Sequence, residues 1–148
     1  MTLSRTGVLI AEGDEGLRRR LYKRLLDHDV VSDIVTDGRE ALQRLDEHDY
    51  AVVLLDIDIT VIDAHRVLDR LRAIDIAQRP ITMVTAPRGT TPALDTDAVQ
   101  IIIRKPFNVR EVADVVKSCL TSLEAPKRET PSQSEKPRGR KRERPEIR

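Results

Sequence analysis

Four stretches of the chain are nearly continuous in Val, Leu and Ile: residues 8–11, 51–55, 81–84 and 99–103. They are of strand length and do not alternate with polar residues. Strands buried on both faces of a parallel sheet read this way, because neither face meets water. A weaker run over residues 30–36 is a candidate fifth strand. Helical spacing fills the gaps. Leu17, Leu21 and Leu25 recur every four residues, and Asp37-Gly38-Arg39-Glu40 has the form of a capping box ahead of Ala41, Leu42 and Leu45. Val67, Leu68 and Leu71 follow Asp63, and Val112, Val115, Val116, Cys119, Leu120 and Leu123 form the clearest apolar stripe. Residues 86–97 hold Pro87, Gly89 and Pro92 and leave room for a short helix.

The predicted order is β-α-β-α-β-α-β-(α)-β-α. Such alternation gives an α/β fold, an open five-stranded parallel sheet with helices on both faces. Ligands of these folds bind outside the carboxyl ends of the strands. Each apolar run there meets a chemically distinct residue: Glu12 after the first, Asp56 after the third, Thr85 after the fourth and Lys105 after the fifth.

Composition narrows the picture. The chain has 148 residues, 39% hydrophobic but 2% aromatic, so its core is aliphatic. No apolar run approaches the roughly 18 residues of a membrane helix, and the first residues do not read as a secretory signal. One cysteine, Cys119, cannot form an internal disulfide, and His28, His48 and His65 lack metal-ligand spacing. A soluble cytoplasmic protein is expected. Net charge is +1, but residues 126–148 hold nine Lys and Arg against four Asp and Glu, a net of +5. Residues 1–125, with 17 basic and 21 acidic residues, carry −4. The tail has no apolar periodicity and half of the eight prolines, which predicts disorder over residues 125–148 and a folded domain over 5–124. RGRKRER within it could hold nucleic acid non-specifically, though it has no aromatic residue for stacking.

An acid facing an ammonium and a hydroxyl suits phosphoryl transfer. Asp56 could attack phosphorus and carry the group as an aspartyl phosphate. Lys105 would offset the charge on the transferred oxygens and Thr85 would donate to one of them. Mg²⁺ could be held by Glu12 and Asp56, with backbone oxygens and waters completing an octahedron.

The segments VLIAEGDE, VVLLDID, PITMVTA and RKPF, in that order, resemble the receiver domain of bacterial response regulators over about residues 7–123. The resemblance implies a flavodoxin-like doubly wound sheet. It implies Asp56 as phosphoacceptor, Thr85 and Lys105 as phosphoryl contacts, and the backbone carbonyl of Asp58 as a further metal ligand. It also implies a histidine kinase or phosphotransfer protein as donor, an unknown downstream protein as target, and no enzyme beyond its own phosphorylation and dephosphorylation. Homodimerisation is left open.

Three departures stand out. The family's adjacent acids read Glu12-Gly13 here, so the second acid is missing. Asp14 follows, but it starts the first helix. Ile102 replaces an aromatic switch residue, and Thr60 and Asp63-Ala64 replace the usual proline and Asp-Gly. The Asp58 side chain could make up for Gly13, or be a solvated loop acid. Gly13 and Ile102 also motivate a phosphorylation-independent scaffold. Separately, Asp56-Ile57-Asp58-Ile59-Thr60 resembles the first motif of haloacid dehalogenase-type phosphatases, with Asp56 as nucleophile and Asp58 as acid/base. Against that, two strands precede the motif and no acidic strand end is expected after Lys105.

Overall fold

The structure is a computed structural model that describes residues 7–89 and 97–124. Five parallel strands form one sheet in the order β2-β1-β3-β4-β5: β1 (Gly7–Ala11), β2 (Ser32–Val35), β3 (Tyr50–Asp56), β4 (Ile81–Pro87) and β5 (Ile101–Lys105). Among the described residues four helices connect or follow them: α1 (Glu15–Asp27), α2 (Gly38–Glu47), α3 (Ala64–Arg72) and α4 (Val109–Glu124). A 3₁₀ turn at Ile76–Gln78 precedes β4. The short helix expected within 86–97 falls largely on residues 90–96, and the basic tail on 125–148; both lie outside the described residues.

The continuous apolar runs have the cause their pattern suggests. All seven residues of β3, in the middle of the sheet, are buried. Successive residues face opposite sides. Val8, Ile10, Val52, Leu54 and Met83 pack against Leu21 and Leu25 of α1 and Val112, Val116 and Leu120 of α4. Leu9, Val53, Leu55 and Val84 pack against Ala41 and Leu45 of α2 and Val67, Leu68 and Leu71 of α3. Each fully buried Leu, Ile or Val contributes about 1.5–3 kcal/mol, so these two layers hold the sheet against its helices.

Two strand ends differ from the sequence expectation. β5 begins at Ile101 rather than at residue 99. Val99 is buried without being in a strand, and burial of a turn residue imitates a strand in the pattern. The Gln100 side chain accepts from the Thr82 N–H at 2.7 Å while its own N–H donates to the Thr82 carbonyl at 3.0 Å, closing the ladder in place of a strand residue. β4 runs on to Pro87, which places Thr85 inside the strand, two residues before its end.

The helix starts follow local chemistry. Asp14, Asp37 and Asp63 each cap a helix, accepting from Leu17, Glu40 and Arg66 N–H groups. The capping box at α2 is displaced by one residue: Glu40 reaches back to the Thr36 N–H at 2.8 Å rather than to that of Asp37. Asn108 accepts from the Arg110 and Glu111 N–H groups at the start of α4.

Candidate functional site at the carboxyl edge of the sheet

β1 and β3 lie side by side, yet the chain leaves them toward opposite faces, to α1 and to α3. That divergence makes their carboxyl ends the topological switch point, where folds of this kind bind ligands. Asp56 ends β3 there, and Glu12 follows β1; both are buried, 6% and 3% exposed. Asp56 stands in register with Thr85 on β4. Lys105 ends β5 and reaches back across the edge.

The Lys105 Nζ lies 3.0 and 3.1 Å from the two Glu12 carboxylate oxygens and 3.5 Å from Asp56 Oδ1. One ammonium therefore serves two carboxylates. Burial pushes the Glu12 carboxyl above its ordinary range; the Asp14 N–H, donating at 3.1 Å, pulls it back, and the Asp56 charge pushes it further up. Burial opposes the Lys105 charge, but the hydrogen bond and charge of Glu12, with Asp56 adding, outweigh it and hold the ammonium above its ordinary value. The Asp58 N–H donates to Asp56 Oδ1 at 3.1 Å, and Ile57 extends the ladder by donating to the Thr85 carbonyl at 2.9 Å. Thr85 is 1% exposed and its hydroxyl has no partner among the described residues. A buried hydroxyl without a partner is costly; the Ser32 and Thr82 hydroxyls are unpartnered as well, and Thr85 differs from them in its place beside Asp56.

The four residues expected at strand ends thus converge. Asp14 does not join them. Its side chain caps α1, and the Leu17 N–H holds its carboxyl below the usual range. Asp58 is exposed, and no three Asp, Glu, His or Cys side chains among the described residues gather closely enough to hold a metal ion. Gly13 leaves real space: a Cβ there would meet nothing nearer than the Thr36 carbonyl at 3.9 Å.

Arg18 stands in the basic run Arg18-Arg19-Arg20, which from the sequence reads as the solvated side of α1. Its guanidinium instead donates to the carbonyls of Glu12, at 2.8 Å, and Gly13, at 3.4 Å, and so pins the loop that carries Glu12. The available signal was its place in the first turn of α1, from which a long side chain reaches back over the helix start. Cys119 is half-buried against the α1–α4 layer, and burial raises its thiol.

A doubly wound parallel sheet with acids, a lysine and a hydroxyl at its carboxyl edge defines a class of phosphoryl-handling α/β domains. The sequence model described as the response regulator receiver domain matches residues 8–117, and the chain belongs to that family. It is a signalling domain of two-component systems rather than a classical enzyme. Transcriptional regulatory protein SrrA of Staphylococcus aureus is 31% identical over 115 residues, 76% of this chain and 47% of that protein. "Probable transcriptional regulator ycf29" of Porphyra purpurea is 26% identical over 116 residues, 76% of this chain and 56% of that protein. The chain spans about half the length of the curated relatives it matches.

Among solved structures, the receiver domain of Francisella response regulator 1452 superposes with a TM-score of 0.70 at 19% identity, over 81% of this chain and 100% of that one. A CheY-like receiver domain from Methanospirillum hungatei does so with a TM-score of 0.69 at 17% identity, over 82% and 98%. Nothing in the fold or these likenesses supports the phosphatase reading; among the described residues, α4 alone follows Lys105. No described helix is long and apolar enough to cross a membrane.

Proposed function

We propose that Asp56 accepts a phosphoryl group from a histidine kinase or phosphotransfer protein, and that the loaded chain signals by contact with a downstream protein. The observation that carries this is the meeting of Asp56, Glu12 and the Lys105 ammonium beside the unpartnered Thr85 hydroxyl. An Asp56 oxygen forms the new O–P bond as the P–N bond of a phosphohistidine breaks. The departing nitrogen keeps the electron pair, and one proton taken up by the ring leaves it neutral. Lys105 then contacts one phosphoryl oxygen and Thr85 donates to another, which biases the domain between two surface shapes.

Glu12 and Asp56 meet on one ammonium, so their carboxylates face one volume, and two carboxylates with phosphoryl oxygens and waters suit Mg²⁺. These residues, with the backbone carbonyl of Asp58, would hold it. When bound, Mg²⁺ offsets charge on the carboxylates and the phosphoryl oxygens. We assign the whole role to residues 5–124. The two relatives are themselves named as transcriptional regulators, which makes transcription the first output to test.

The test is intact mass after incubation with Mg²⁺ and phosphoramidate. A phosphoryl adduct that vanishes in Asp56→Asn is expected. No adduct under any metal condition would overturn the proposal and favour the phosphorylation-independent scaffold that Gly13 motivates.

A further inference from the structure

α1 has two flanks that solvent reaches. One, with Leu17 and Arg20, borders Lys105, Pro106 and Phe107 and belongs with the phosphoacceptor edge. The other turns away from that edge toward β2, the outermost strand on its side of the sheet. Between α1 and β2 runs a groove of about 420 Å³, lined by Arg18, Arg19, Tyr22, Lys23, Leu26 and Ile34, with Glu15 at its end.

The groove is apolar in its floor and cationic at its rim. Leu26 is 41% and Ile34 39% exposed, and Val31 nearby is 68% exposed. Large apolar side chains left in water together mark a contact surface more often than single ones do. The carboxylate at the groove, Glu15, is tied to Arg19 at 2.8 Å. Arg18 is committed to the loop carbonyls, but its charge stays at the rim. The lining positions climb α1 at helical spacing from residue 15 to residue 26, a length of about 16 Å, or three turns.

We propose that this flank docks an acidic amphipathic helix of a partner protein. Apolar residues of such a helix at i, i+3 or i+4 and i+7 would cover Tyr22, Leu26 and Ile34, and its acids would face Lys23 and the rim charge of Arg18, with Arg19 already paired to Glu15. The charge excludes two other occupants. A second copy seated face to face would set the same cations against each other. Residues 126–148 of this chain carry a net of +5 and would be repelled. Leu26 and Ile34 at the centre are a poor match for a phosphate backbone.

The probe is an 18-residue helical peptide of leucine and glutamate, with a leucine–lysine counterpart, titrated into the ¹⁵N-labelled full chain. Amide shifts confined to α1 and β2 are expected with the acidic peptide. Lys23→Glu should weaken binding about tenfold or more, since a reversed charge at a rim contact is worth on the order of 1.4 kcal/mol. Leu26→Asp should abolish the shifts while leaving the remaining spectrum unchanged. Equal shifts with the lysine peptide, shifts centred elsewhere, or none at millimolar peptide would overturn the proposal. Shifts at this flank that grow with protein concentration alone would assign it to a second copy and overturn it too.

Discussion

Gly38 opens α2 against the loop that leaves β3, and it has no room for a side chain. A Cβ there would lie 1.8 Å from the Ile62 carbonyl oxygen, 2.8 Å from the Ile62 carbonyl carbon and 3.3 Å from the Ile62 Cβ. Carbon–oxygen contact is comfortable near 3.4 Å, so Gly38→Ala must push the loop and helix apart by about 1.6 Å. The Gly38 N–H donates to the Thr60 carbonyl at 3.0 Å, and that separation breaks the bond. Overpacking costs about 1–3 kcal/mol and the lost bond about 1, while the better helix propensity of alanine returns less than about 1. A net loss of about 2–3 kcal/mol follows, or roughly 10 °C in Tm for a domain of this size. Thermal and urea unfolding followed by circular dichroism at 222 nm measure it. The same loop carries Asp58, whose N–H binds Asp56, so phosphorylation with phosphoramidate should slow as well. A Tm within about 2 °C of the parent would refute the packing argument, since it would mean the loop moves at no cost. Adding Val61→Gly should recover part of the loss, because it loosens the same loop. Effects that add to within about 0.5 kcal/mol would refute that coupling.

Other substitutions probe the site itself. Lys105→Met leaves Glu12 and Asp56, 4% and 8% exposed at their side chains, without their shared cation, and should cost about 3 kcal/mol at pH 7 by urea unfolding. The native Glu12 carboxyl already titrates above its unfolded value, and losing Lys105 raises it further. Stability from its protonated form is complete below the unfolded pKa and is lost as pH rises through the folded one, so the deficit of the variant should narrow toward pH 5; a deficit independent of pH would sink this account. Gly13→Asp restores a second acid in open space and should tighten Mg²⁺ about tenfold by calorimetry, whereas Asp58→Ala should change it less than about twofold. Val61 holds φ at 70° while 69% exposed, so Val61→Gly should stabilise by about 1 kcal/mol; destabilisation would show that the loop does not store strain.

What the sequence revealed follows from range of action. β1 and β3 were legible because both faces of each are covered, and such burial writes itself as an unbroken apolar run. Asp56 and Glu12 were legible because a charge directly after such a run is conspicuous. Asp14 could be read as a cap because capping is local. Gly38 and Val61 could not. The need for glycine at 38 comes from a carbonyl twenty-four residues on, and a β-branched residue at positive φ runs against its own propensity, so tertiary packing imposes it. Arg18 was misplaced for a related reason: an arginine in a basic run on a helix is usually solvated, and its target is loop backbone that sequence does not display. Val99 misled the start of β5 because burial and strand are the same signal in a short window.

The contact between Lys105 and Glu12 joins residues 93 apart, from the first strand to the last. Closing a span of that length costs more entropy than closing the nearer pairings does. A chain with β1 to β4 assembled would hold Glu12 and Asp56 side by side with no cation between them, and their repulsion would oppose that placement. On the role proposed for Asp56, competence to take a phosphoryl group requires the docked final strand, which brings Lys105 to the site. A chain without that strand in place would hold the proposed acceptor without its ammonium, which ties the proposed chemistry to completion of the sheet.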